Sequence, residues 1–159
     1  MRNFIKYLPV LVLGYLLLAC SSSESLGDNP QVEMTSNHID AWLNLMPGTT
    51  PGTFHFVGEI KLKNNGDVQI DSLEISNVTV FGDSEVVYTF KPEFNPKPDD
   101  SDFSLKPGTN KIFKIRTGKG LKVNEMIIKH RRINLKLELK TNLSEQFFEI
   151  KNIKVQRAY

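Results

Sequence analysis

The chain of 159 residues predicts an all-β domain, a single antiparallel sandwich of seven or eight strands, and three observations carry that expectation. Apolar and polar residues alternate with the two-residue period of half-buried strands over short runs. Turn signals built from Gly, Pro, Asn and Asp separate those runs. No long stretch shows the i, i+3, i+4 spacing of an amphipathic helix.

Ahead of that domain stand two segments of different character. Residues 1–19 place Arg2 and Lys6 before an apolar run that includes Leu8, Val10, Leu11, Val12, Leu13, Leu16, Leu17 and Leu18, with no acidic residue. This is the layout of a secretory signal. A permanent membrane span needs about 20 apolar residues, whereas this run is interrupted by Pro9 and Gly14 and halts at Ser21-Ser22-Ser23-Glu24. Residues 20–31 are polar, contain Gly27 and Pro30, and carry too little apolar surface to offset the entropy of ordering, so they read as a tether. The domain is expected over residues 32–159.

The strands follow in order. Over residues 53–63, Phe54, Phe56, Gly58, Ile60 and Leu62 share one parity and His55, Glu59, Lys61 and Lys63 the other, a strand with one wet face. Asn64-Asn65-Gly66-Asp67 then predicts a tight turn at positive φ. Over residues 72–81, Leu73 and Ile75 lie on one parity and Val78 and Val80 on the other, which predicts a bulge at Ser76-Asn77. Gly82-Asp83-Ser84 turns the chain into a strand over 85–90, with Val86, Tyr88 and Phe90 on one face. Residues 91–102 hold Pro92, Pro96 and Pro98 and a group of carboxylates, which forbids a central strand and predicts a surface loop. Residues 111–117 alternate Phe113 and Ile115 with Lys114 and Arg116. The stretch 121–129 fits either a short helical turn or a strand. Ile133, Leu135, Leu137 and Leu139 alternate cleanly with polar neighbours, and the last strand, over 146–156, changes parity around Asn152.

The apolar run closes on Leu17-Leu18-Ala19-Cys20, which resembles the bacterial lipobox, with Leu18 where that motif more often has a smaller side chain. The resemblance implies diacylglyceryl modification of Cys20, cleavage before it, and a mature lipoprotein held in a membrane of the cell envelope. The competing reading is an ordinary signal peptide followed by a chance cysteine. Serine after the cysteine is compatible with the outer membrane, and the sequence leaves open whether the domain faces the periplasm or the outside. Each buried acyl methylene contributes about 0.8 kcal/mol, so two or three chains make a lasting anchor. Cys20 is the single cysteine, so no disulfide supports the domain and packing must hold it.

Arg2 and Lys6 account for the whole excess of 20 basic over 18 acidic residues, so the mature chain is formally neutral. No nucleic-acid partner is expected from such a balance.

Three further resemblances concern the domain. The strings 58–67 and 105–113, the latter opening Leu105-Lys106-Pro107-Gly108, resemble the strand-and-turn pattern of bacterial immunoglobulin-like modules in envelope proteins, which implies an immunoglobulin-like sandwich and no specific partner. Residues 41–48, Ala-Trp-Leu-Asn-Leu-Met-Pro-Gly, resemble the opening of periplasmic copper chaperones with a cupredoxin-like sandwich, which hold Cu(I) through histidines and methionines. Where those proteins carry a histidine and a nearby methionine after the second long strand, this chain has Val80-Phe81-Gly82-Asp83, so no ligand is carried over. Asp71-Ser72-Leu73 resembles a short O-glycosylation acceptor of some envelope proteins, a triplet that also arises often by chance.

Candidate chemistry is sparse. Met34, His38 and Met46 are the residues a soft metal would use, but one histidine and two methionines at loose spacing fall short of a ligand set, and the expectation is no metal and no cofactor. His55 stands on the wet face of its strand. Asp99, Asp100 and Asp102 offer oxygens without the spacing of a calcium loop. Trp42, the single tryptophan, is expected in the core. His130-Arg131-Arg132 forms a basic patch fit for phosphate, anionic lipid or glycan, or a charged guard on an edge strand, the favoured reading. No nucleophile elbow, zinc-protease helix or phosphate-binding glycine loop is present, so no catalytic residue is named and an enzyme is not expected. The expected function is a lipid-anchored, non-catalytic binding or scaffolding module for an envelope protein or glycan. A copper carrier and a carbohydrate-binding module, the latter using Trp42 or Tyr88, are the alternatives.

Overall fold

The computed structural model describes residues 31–48, 51–97 and 102–159. Among the described residues, nine strands, Val32–Asn44 (β1), Thr53–Asn64 (β2), Leu73–Gly82 (β3), Glu85–Phe90 (β4), Glu93–Pro96 (β5), Asn110–Arg116 (β6), Leu121–Lys122 (β7), Arg132–Thr141 (β8) and Glu145–Ala158 (β9), are accompanied by one short helix, Glu125–Lys129 (α1). The fold is all-β. The signal segment, Cys20 and the tether as far as residue 30 lie outside the described residues, as do Asp99 and Asp100.

The strands form one sheet in the order β4-β3-β8-β9-β1-β2-β6-β5, with β7 paired to β2. Every pairing is antiparallel except β1 with β9, which run parallel from Ala41 opposite Val155 to Asn44 opposite Ala158. The sheet is therefore mixed, which corrects the purely antiparallel expectation. Alternation along a strand fixes which face is buried but is blind to the direction of the neighbour.

The sheet curls over a single core. β2 and β4 are far apart in the strand order, yet Phe54 stacks on Tyr88 with ring centroids 5.4 Å apart and Phe56 meets Phe90 edge-on at 5.9 Å. Between these two flanks lie the buried residues Ala41, Leu43, Ile60, Leu62, Val78, Val80, Ile115, Leu135, Leu137 and Ile153. The seam is stitched by the link from β7 to α1. Tyr88 Oη donates to the Lys122 carbonyl at 2.9 Å, and Asn124 Nδ2 donates to the Val87 carbonyl at 3.3 Å. Asn124 also caps α1, its Oδ1 accepting from the Ile127 amide at 2.9 Å. Both readings of residues 121–129 thus hold, strand first and helical turn after it.

The bulge expected at Ser76-Asn77 is present as a register shift between Ile75 and Asn77 against β8. Ser76 Oγ donates to Glu138 Oε1 at 2.6 Å, which fastens the irregularity and holds the Glu138 carboxyl below its usual range. The parity change in the last strand falls at Asn152, which adopts φ 66°, a left-handed conformation that Asn tolerates. A second shift, between Val80 and Phe81, was not anticipated and corrects the face of β4. It turns Val86 outward, 53% exposed, and buries Val87.

Residues 91–102 are not loop throughout, because β5 pairs with β6 from Glu93 opposite Arg116 to Pro96 opposite Phe113. β5 closes one end of the strand order, where a proline is tolerated. Asn65 and Gly66 do not adopt positive φ, so the expected tight hairpin turn is absent. The chain continues to Ile70, which bridges to Leu105, and Asn64 organises the bend from within the core.

Candidate functional site

Met34, His38 and Met46 all lie on β1 or just past its end, so extended geometry spreads them instead of gathering them. At about 3.3 Å per residue, Met34 and Met46 are roughly 40 Å apart along the strand. Met34 is half-buried against the core, Met46 is exposed, and His38 Nε2 pairs with Asp40 Oδ2 at 2.7 Å. The three do not converge, and among the described residues no group of three His, Cys, Asp or Glu side chains is placed to hold a metal. Asp102 is engaged by the Ser104 amide and hydroxyl and by Lys111, which keep its carboxyl below the usual range.

Trp42 is not a core residue. Its neighbours Ala41 and Leu43 fill the core, and the pleat turns Trp42 to the outer face, half-buried. There it stacks on His55, the residue opposite it on β2, with centroids 5.1 Å apart and planes 11° from parallel. His55 Nε2 lies 2.8 Å from Thr53 Oγ1, and burial pushes its pKa below the ordinary value. Gly120, at φ 86°, packs its bare Cα against the same ring. Tyr88 points the other way, into the seam, so the two aromatics do not line one face.

A depressed histidine pKa has a definite sign for stability. Between the folded and the unfolded pKa the unfolded chain binds more protons, so stability falls as the pH drops below about 6.5. Urea midpoints taken at pH 7 and pH 5 should decline, and His55→Phe, which keeps a ring on Trp42, should shrink that decline. An undiminished pH dependence in the variant would exclude His55 as its source.

The basic patch proves to be larger than the sequence suggested, and its setting is different. β8 lies between β3 and β9 in the interior of the sheet, so Arg131 and Arg132 do not guard an edge. Arg132 pairs directly with Lys154 on β9, and these two, together with Arg131, Val155, Gln156 and Arg157, line an open groove of about 660 Å³. Four cations therefore meet at one place, and none has an ion pair among the described residues. Two are held in position. Arg132 Nη1 donates to Asn152 Oδ1 at 2.8 Å and to its carbonyl at 3.2 Å, while Arg157 Nη2 donates to the Ile128 carbonyl at 2.5 Å. Asn152 is itself set by its left-handed backbone and by its amide donating to Asn134 Oδ1 at 2.8 Å. Lys154, Gln156 and Arg157 escaped the sequence reading because more than twenty residues separate them from Arg131. Only the register of β9 against β8 brings them together.

No family model matches this chain, and no curated protein matches it. Among solved structures, it is similar to one described as the solution structure of a protein assigned provisionally to the late embryogenesis abundant (LEA) class. That match has 15% identity and a TM-score of 0.35 and covers 92% of this chain and 86% of the other. A likeness at that TM-score carries no argument about fold or function.

Proposed function

We propose that the mature chain is a lipid-anchored lipoprotein of the cell envelope, held through Cys20 in the outer membrane, whose domain is a non-catalytic binding module working through the groove between β8 and β9. The single observation that supports the module reading is the meeting of Arg131, Arg132, Lys154 and Arg157 with no carboxylate partner among the described residues. Like charges placed directly opposite across a strand pair destabilise the pair. A chain whose mature form is formally neutral has carboxylates enough to neutralise such a cluster. Leaving the cluster uncompensated makes sense where an outside anion completes it. The anchor is supported by the lipobox resemblance at residues 17–20.

Both halves are open to direct test. In cells fed radiolabelled palmitate, the chain should take up label, and Cys20→Ser should lose the label and leave the membrane pellet. Label retained by the Cys20→Ser chain would refute the anchor. Photo-crosslinking from position 156 in the native envelope should capture a component that a probe at position 106, on the turn after Leu105, does not. Equal capture from both positions would refute the groove as the working surface. Copper recovered stoichiometrically in the same preparation would favour the carrier instead.

A further inference from the structure

We propose that the groove where the start of β8 meets the end of β9 is a phosphate site, taking a phosphorylated headgroup of sugar size. The inference rests on the binding-module reading and names its ligand class. Three features of the groove point to phosphate.

The first is the direction of the cations. Arg131 and Arg132 enter from the start of β8, Lys154 from the strand opposite, and Arg157 from within the segment parallel to β1, opposite Leu43 and so on the other parity of β9 from Lys154. A tetrahedral oxyanion presents oxygens to donors arriving from several sides, whereas a single carboxylate is satisfied by one planar guanidinium fork. The second is preorganisation. The ties of Arg132 to Asn152 and of Arg157 to the Ile128 carbonyl hold both guanidinium groups before any ligand arrives. Fixed donors lower the ordering cost and favour a compact anion over an extended acidic segment. The third is size. A volume of about 660 Å³ is several times what a bare phosphate fills and falls within the range of small-molecule sites. The strand register places Gln156 beside Trp42, so an amide and an aromatic wall adjoin the cations on the outer face.

The test is calorimetric titration of the full chain in neutral detergent micelles with inorganic diphosphate at constant ionic strength. Saturable binding of one anion per chain is expected. Arg131→Gln combined with Lys154→Gln should raise the dissociation constant at least tenfold, while Lys106→Gln combined with Lys119→Gln, which removes the same charge elsewhere, should leave it unchanged. If the first pair does not fold, Lys154→Gln alone, at an exposed position, takes its place with a smaller loss in the same direction. Displacement by glycerophosphoglycerol, the soluble head of an anionic phospholipid, would support the site and assign the phosphate to a lipid. Displacement by glucose 1-phosphate alone would support it and assign the phosphate to a phosphorylated sugar or a free monoester.

Failure to bind diphosphate, or equal loss in the control pair, would overturn the proposal. Binding of hexaglutamate without diphosphate would overturn it in favour of an acidic polypeptide. Crosslinks from position 156 to a partner, with no anion bound, would overturn the phosphate assignment and leave the binding module standing.

Discussion

Replacing Asn64 by leucine should destabilise the domain by about 3 kcal/mol, even though leucine fits the volume and every other inward position of β2 is apolar or glycine. Asn64 is fully buried on the core parity of its strand. Its Nδ2 donates to the carbonyls of Val68 at 2.8 Å and Leu105 at 3.1 Å, and its Oδ1 accepts from the Gly66 amide at 2.9 Å. One side chain thus ties the bend after β2 to the segment that leads into β6. Leucine would leave two carbonyls and one amide without these partners, at about 1 kcal/mol each. Asn64→Asp is the sharper control. It keeps the acceptor for Gly66 but aims carboxylate oxygens at two carbonyl oxygens, so it should cost at least as much. Urea unfolding of the three chains decides it. A leucine variant within about 0.5 kcal/mol of the parent would show that solvent satisfies those groups and that Asn64 is not the organiser of the bend.

Asn64 also marks where the sequence stopped being legible. The strands with clean alternation, over residues 53–63 and 133–139, appear as β2 and β8, because burying one face leaves the side-chain period no freedom. The parity breaks at Ser76-Asn77 and at Asn152 were readable for the same reason, since a face change within a strand needs an extra residue. Asn64 and Asn65-Gly66 look like turn chemistry, and local propensity cannot tell a positive-φ turn from a buried side chain that does the turning. The parallel pairing of β1 with β9 was equally hidden. It joins segments more than a hundred residues apart and leaves no mark on either.

The candidate site was legible only in half. Arg131 and Arg132 stood out as a run, but the reading of them as an edge guard assumed a position in the sheet that sequence cannot supply. Lys154 looks like an ordinary outward residue of an amphipathic strand until the register sets it against Arg132, and Arg157, on the parity of the buried Ile153 and Val155, looks like the polar end of the inward face. Trp42 was misplaced by weighing size over parity. Ala41 and Leu43 flank it, and alternation alone would have sent it outward.

Gly58→Val sets propensity against space, and space should win. Valine favours a strand over glycine by an amount on the order of 1 kcal/mol, and Gly58 sits within β2 on its buried parity, so a propensity argument expects stabilisation. The geometry says otherwise. Gly58 lies opposite Ile39, just past the register shift between Ser36 and His38 in β1. A Cβ on residue 58 would overlap Ile39 Cδ1 and stand 2.7 Å from the His38 carbonyl oxygen. The side chain of Ile39 occupies the space that any residue at 58 would need. Overpacking of this kind costs about 1–3 kcal/mol, and the backbone oxygen cannot yield without moving β1, so the net loss should lie near the upper end, about 2–3 kcal/mol. Ile39→Ala should rescue part of it. The alanine frees the overlap with Cδ1 but leaves the His38 carbonyl where it is, so the double variant should lose less than the sum of the two single losses, by about 1 kcal/mol. Strict additivity would mean that the carbonyl alone, and not the isoleucine, excludes a side chain at position 58. A Gly58→Val chain more stable than the parent would mean that β1 shifts at its bulge to make room.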